Sequence, residues 1–184
     1  MRRIISLLVL LMCVSGLYGQ GHRLAKSTAV RYDWKPGIVN TPEISYGLGL
    51  GETSVGYSKD FIGVTNITGY QFSRNIKCGV GYGVQAHNGG TLFPLFFDAR
   101  FNTNMQKRVF FLAASGGCAA SVSDFIGESR IMFAGYGGIR YVCWPKIAVV
   151  GSAGIQSQGG GAEGRSSFFV IKIGVEIKGR EYGK

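Results

Sequence analysis

Charge, proline and long apolar runs are all scarce in this chain. Only 16% of its 184 residues are charged, and ten acids face twenty Lys and Arg. Beyond Gln20 there is no apolar stretch of 18 residues, so no segment there can cross a bilayer as a helix. Two histidines, His22 and His87, and no C-x-x-C or Cys/His cluster leave a zinc-type site without ligands. Of the four cysteines Cys13 lies in the apolar leader; Cys78, Cys118 and Cys143 remain, and an odd number does not make a disulfide framework. They read as small apolar strand residues. No serine, carboxylate or cysteine stands at a spacing from His87 that specifies a catalytic partner. Help from Ser123, Asp124 or Glu128 would be ordinary loop chemistry. No catalytic residue, metal or cofactor is therefore expected.

Glycine and aromatics are abundant: thirty Gly, twelve Phe and nine Tyr, a composition suited to a glycine-rich β protein. The chain starts with Arg2 and Arg3, an apolar run over 4–17 and small residues before Gln20. That is a secretory signal with cleavage expected after Gly19 or Gly16. Leu11 and Met12 before Cys13 lack the small residue of a lipoprotein signal, so no lipid anchor is expected. The expected divisions are a signal peptide over 1–19, a lead-in over 20–41, a barrel over 42–178 and a tail over 179–184. Trp34-Lys35-Pro36-Gly37 marks a turn before the first strand. Trp34 has two readings, a place at the membrane–water boundary or a place packed under the barrel. The formal charge of +10 would suit nucleic acid, but export argues against that partner; the basic residues cluster at ends and short turns, as a solvated rim near lipid headgroups would.

Alternation with period two dominates the chain beyond the lead-in. Over 166–178, Phe169, Ile171, Ile173, Val175 and Ile177 share one face, and Lys172, Gly174, Glu176 and Lys178 the other. The same pattern marks candidate strands over 42–51, 60–73, 76–86, 92–103, 130–142 and 146–157. Ile44, Tyr46 and Leu48 stand against Glu43, Ser45 and Gly47, and Phe93, Leu95, Phe97 and Phe101 against Phe96, Asp98 and Arg100. Two stretches are less clean. In 60–73, Asn66 and Thr68 fall on the apolar side and Ile67 on the polar side; the stretch 107–122 is apolar on both faces, and its faces cannot be assigned. At about 10 to 14 residues each, eight such strands tilted by roughly 35–45° cross an apolar band of roughly 25 Å. The connections alternate too: 73–75, 103–106 and 143–145 are compact, whereas 52–59, 87–91, 123–129 and 158–165 read as longer. Short periplasmic turns and longer outer loops fit bacterial barrels. The class expected is all-β, an eight-stranded antiparallel up-and-down transmembrane barrel with lipid outside and polar groups within.

The polar faces define a lumenal set: Glu43, Gln71, Lys77, Asp98, Arg100, Arg140, Lys172 and Glu176. An eight-stranded barrel is narrow, so its interior fills with side chains, and buried charges there must pair. Asp98 and Arg100 are two apart on one face, and Lys172 faces the same way as Glu176. The expectation is a salt-bridged plug; a proton or ion path is the other use of such a set. Gly159-Gly160-Gly161 precedes no helix and reads as a flexible loop tip, not a phosphate cradle.

Four stretches carry a resemblance: G-Y-Q-F-S over 69–73, G-V-G-Y-G over 79–83, L-F-P-L-F-F-D-A-R over 92–100 and F-F-V-I-K-I-G-V-E-I-K over 168–178. In this order, across 42–178, the chain resembles the small outer-membrane β-barrel proteins of Gram-negative bacteria, with an OmpA-like transmembrane domain. The resemblance implies insertion by the outer-membrane assembly machinery, which reads the final strand. Here G-R-E-Y-G-K follows that strand in place of a terminal aromatic residue, and a peptidoglycan-anchoring role is not expected. The function expected is that of a non-enzymatic integral outer-membrane barrel, structural or acting through its loops, with lipid, lipopolysaccharide and the assembly machinery as partners, no nucleic acid, and a monomeric state. The alternatives are a narrow pore and an exported soluble barrel of lipocalin type, in which Ile171, Ile173 and Val175 would point inward at an apolar ligand.

Overall fold

The computed structural model describes residues 33–50, 60–87, 90–103, 108–121, 129–159 and 165–179. The expected signal peptide, His22, the outer part of the lead-in, Ser123, Asp124, Glu128, the Gly160-Gly161 tip and the tail from Arg180 on lie outside them.

Eight strands run in chain order: β1 (Gly37–Gly49), β2 (Asp60–Gln71), β3 (Ile76–His87), β4 (Gly90–Asn102), β5 (Arg108–Ser121), β6 (Arg130–Trp144), β7 (Ile147–Gly159) and β8 (Arg165–Lys178). Each pairs antiparallel with the next, and β8 closes onto β1, so the sheet has no free edge. Residues 72–75, 103–107 and 145–146 connect the strands at the end where β1 begins and β8 ends, the turn mouth. The opposite end is the loop mouth.

The pleat sorts the side chains as the alternation demands. Outward are Phe97, 74% exposed, and Ile173, 64% exposed; inward are Glu176 and Arg140, 0% and 1% exposed. Because the greasy face is the outside and the charged face the inside, the lipocalin arrangement is reversed: Ile171, Ile173 and Val175 look away from the lumen. β5, ambiguous in sequence, turns Phe110 and Leu112 out and Val109, Phe111 and Ala113 in, its register fixed by β4 and β6.

Several strand ends differ from expectation, and β1 and the β3–β4 connection most affect the shape of the barrel. β1 starts at Gly37, not at Pro42, and Ile38 and Val39 already alternate outward and inward. Pro42, which has no N–H, is tolerated because the ladder to β8 passes from Asn40–Ile177 to Glu43–Gly174 without it. β3 and β4 leave only residues 88–89 between them, since His87 and Ala86 pair with Gly90 and Thr91, so the longer connection expected over 87–91 is absent.

Inward glycines make room for rings. A Cβ on Gly47 would lie 2.1 Å from the Phe61 ring, and one on Gly81 2.2 Å from the Phe96 ring. The space these glycines leave on β1 and β3 is thus filled by aromatic side chains of β2 and β4, in addition to the charged ones foreseen.

Candidate functional site

The lumen holds the chemistry-bearing residues, and its seven charged members from the sequence-derived set are all less than 9% exposed. A charge moved from water to such a place costs several kcal/mol unless it is paired. The barrel register supplies the partners in two clusters.

The first cluster is centred on Arg100. Its Nη2 is 2.7 Å from Glu43 Oε1 and its Nε 2.7 Å from Asp98 Oδ1, so one guanidinium fork joins β4 to β1 and to its own strand. Ser115 on β5 donates to Asp98 Oδ2 at 2.9 Å. Lys172 comes to 3.9 Å from Glu43 Oε2, and its ammonium sits 3.9 Å above the centre of the Tyr136 ring. The ring's electron-rich face supplements a single loose carboxylate contact.

The second cluster is centred on Glu176, nearer the turn mouth. Its Oε2 takes Lys77 from β3 and, at 3.0 Å, Arg140 Nη2 from β6; Arg140 also donates to Asn102 Oδ1 at 3.3 Å. Glu176 therefore ties three strands together across the bore. Lys172, although it faces the same way as Glu176 on β8, pairs instead with Glu43, because β1 brings that carboxylate beside it. Gln71, the remaining member of the set, lies opposite Lys77 in the β2–β3 ladder and is 0% exposed, but its amide atoms find no protein partner.

Sequence reasoning left three features out of the site. At the turn mouth, Trp34 packs on Val142 and Ala148 inside the barrel end, with the guanidinium carbons of Arg74 and Arg140 5.3 and 5.8 Å from its ring centre. It is packed under the barrel, the second of its two sequence readings. A latch holds it: Asp33 N–H donates to the Pro145 carbonyl at 2.8 Å, and Lys178 donates to the carbonyls of Asp33 and Lys35 and pairs with Asp33 Oδ2 at 3.4 Å. Burial alone would raise the Asp33 pKa, but the Lys35 backbone N–H and the Lys178 charge outweigh it and hold the carboxyl below its ordinary value.

Toward the loop mouth, apart from the buried Arg130 at the start of β6, the lumen turns to neutral groups. Tyr136 donates to Gln156 Oε1 and Gln158 donates to Gln85 Oε1, both at 3.0 Å. Above them the His87 ring stands 5.1 Å from Phe61 and 5.9 Å from Phe168, a buried aromatic layer. Gln85 and Gln156 were on inward faces in the sequence, but their partners are far along the chain, and only the barrel register brings Gln85 to Gln158. Cys78 and Cys118 point outward, and Cys143 is half-buried; all three are free thiols. Among the described residues no group of three or more His, Cys, Asp or Glu could hold a metal ion.

No protein-family model and no curated protein matches the chain. Solved structures do. Neisserial surface protein A aligns over 79% of this chain and 99% of its own with a TM-score of 0.59 at 15% identity. OprG of Pseudomonas aeruginosa aligns over 83% of this chain and 98% of its own with a TM-score of 0.52 at 8% identity. The fold is that of the small outer-membrane barrels. A de novo designed transmembrane β-barrel aligns as well, over 79% of this chain and 98% of its own, with a TM-score of 0.51 at 16% identity. At these identities the likeness is one of architecture: strand number, closure and up-and-down order.

Proposed function

We propose that this protein is an integral outer-membrane barrel without enzymatic activity, structural in role and acting on its surroundings through the loop mouth. The observation that carries the reading is the inversion of faces: an apolar outer wall around a lumen of paired charges. Water outside would leave the wall's Phe, Ile and Leu side chains exposed on every strand, far beyond the patches a soluble monomer tolerates; lipid outside buries them. The turn mouth lies in the periplasm in this reading, which places the basic ends beside the inner leaflet. Lipid, lipopolysaccharide and the assembly machinery that reads β8 are its partners. The two ion-pair clusters and Trp34 support a closed lumen.

Fractionation of expressing cells, followed by gel mobility of the membrane fraction with and without boiling, tests this. Recovery in the outer membrane with a boiling-dependent shift is the expected outcome; recovery as a soluble periplasmic protein overturns it. A second reading, a narrow pore, is favoured by one observation. Gln71, Thr65 Oγ1 and Gln156 Nε2 are buried in the lumen without a protein partner, as groups along a file of water would be. Planar-bilayer recordings separate the two: baseline conductance supports the plug, and discrete openings by wild-type protein support the pore.

A further inference from the structure

Among the described residues, the middle of the outer wall has a place on β2 that lipid does not suit. Asn66 and Thr68, on the outward face of β2, form a hydrogen-bonded chain with neighbours on both sides. Asn66 Nδ2 donates to Tyr82 OH at 3.0 Å on β3 and to Thr68 Oγ1 at 3.4 Å, and Thr68 donates to Asn40 Oδ1 at 3.0 Å on β1. Asn66 and Tyr82 lie near the middle of their strands, with exposed Ile62 and Val64 on one side and Tyr70 on the other. Asn66 and Tyr82 are therefore inside the apolar band, and Thr68 and Asn40 carry the chain from there toward the turn-mouth rim. On the other strands, the central outward positions are apolar residues, glycine, alanine or cysteine. The chain also borders a groove of about 680 Å³ in the outer wall, lined by Pro42, Asn66, Tyr82, Phe93 and Leu95 among others.

The internal bonds do not exhaust this group. Both N–H bonds of Asn66 are used, but its Oδ1 is not; both Asn40 Nδ2 hydrogens and the Tyr82 hydroxyl hydrogen remain to be donated. Acyl chains can accept or donate nothing, and lipid headgroups lie at the rims. Side chains left in this state in a bilayer are costly, and they mark contacts between membrane segments. What would satisfy them must bring an acceptor and donors at the same depth. A second copy does so: a two-fold axis along the membrane normal keeps depths, setting the Asn66 Oδ1 of each copy against the hydroxyl of the other copy's Tyr82, the register partner of Asn66.

We propose that the β1–β3 wall is a lateral docking surface for a second copy of this chain, centred on Asn66 and Thr68. The monomeric state expected from sequence then holds only in dilute detergent. The proposal rests on the outer wall facing lipid, and the boiling-dependent gel shift reports that separately from pairing.

The test is pairing of labelled wild-type protein in lipid vesicles, read by single-molecule photobleaching steps as the protein-to-lipid ratio rises. The expected result is a two-step population in wild type and, in the double variant Asn66→Leu/Thr68→Val, an association constant weaker on the order of tenfold. The double variant should keep its gel shift, because both replacements suit lipid. With Cys78, Cys118 and Cys143 changed to Ala, Val64→Cys, exposed beside Asn66 on β2, should give a crosslinked pair with a short bismaleimide, and Ile139→Cys on the opposite wall should not. Single steps at every ratio, equal pairing of the double variant, or equal crosslinking at Ile139→Cys each overturn the proposal. So does crosslinking of Val64→Cys in cell membranes only to a protein of different mass.

Discussion

The two halves of the lumen close the same bore by different means. The half nearer the turn mouth uses charge: Glu176 holds Lys77 and Arg140, and Glu43 and Asp98 hold Arg100. The half nearer the loop mouth, beside the buried Arg130, uses mainly neutral amides and rings, with the pairs Gln85–Gln158 and Tyr136–Gln156 beneath Phe61, His87 and Phe168. The difference bears on how each half fails. A buried ion pair is strongly directional in its consequences, since loss of one partner leaves the other charged and unpaired. A buried amide that loses its partner is merely unsatisfied, at a cost nearer that of one hydrogen bond. The turn half is thus brittle and the loop half forgiving.

The largest expected effect comes from the brittle half. Glu176→Leu takes the 0% exposed carboxylate away from both Lys77 and Arg140, and urea unfolding of the folded barrel in detergent should show a loss of about 3–5 kcal/mol. Adding Lys77→Met to Glu176→Leu should recover part of that loss. If the single variant costs no more than removal of one lumenal amide, the ion pairs are not what holds the turn half. An effect of similar kind is expected from Gly81→Val, which drives a side chain into the Phe96 ring where only a hydrogen now fits, and should cost about 1–3 kcal/mol as overpacking.

Next in size is the stopper. Trp34→Ala removes a half-buried ring from Val142 and Ala148 and uncovers Arg74 and Arg140, while the strands keep all their pairs. The expected loss is about 1–2 kcal/mol, below that for a fully buried aromatic. Bilayer recordings should show brief openings that wild type lacks. Unchanged stability with unchanged conductance would mean that the ion pairs alone close the turn half. At the forgiving end, Gln158→Leu leaves Gln85 Oε1 without its donor and should cost about 1 kcal/mol in the same unfolding assay, several-fold less than Glu176→Leu.

How much of this was legible depends on how far apart the partners lie. The outward faces of seven strands could be read directly, because a period-two pattern is local and needs no register. β5 could not: its inner residues Val109, Phe111 and Ala113 are buried in the lumen and are as apolar as its outer ones. The lumenal charges could be named but not paired. Asp98 and Arg100 are neighbours on one strand, whereas Lys77 and Glu176 are 99 residues apart and meet only once β8 has closed on β1. Trp34 sits in a stretch with no alternation, and its place depends on Lys178 at the other end of the barrel sequence.

That contact between Asp33 and Lys178 gives the smallest effect and the one most particular to the turn half. Asp33 has a folded pKa below its ordinary value, with the Lys178 charge among the causes that outweigh burial. The latch therefore contributes stability that is fully present above the unfolded carboxyl pKa of about 3.9, and loses it as pH falls through the lower folded value. In a Trp144→Phe background, Trp34 emission should stay constant from neutral pH to about pH 5 and shift toward that of exposed indole only below about pH 4. Asp33→Asn should abolish the acid transition while keeping Trp34 seated, because the Asp33 backbone N–H and carbonyl still bind Pro145 and Lys178. A transition unchanged by that substitution would move the acid sensitivity from the latch to the lumenal carboxylates, and would make the stopper a passenger of the ion-pair clusters it covers.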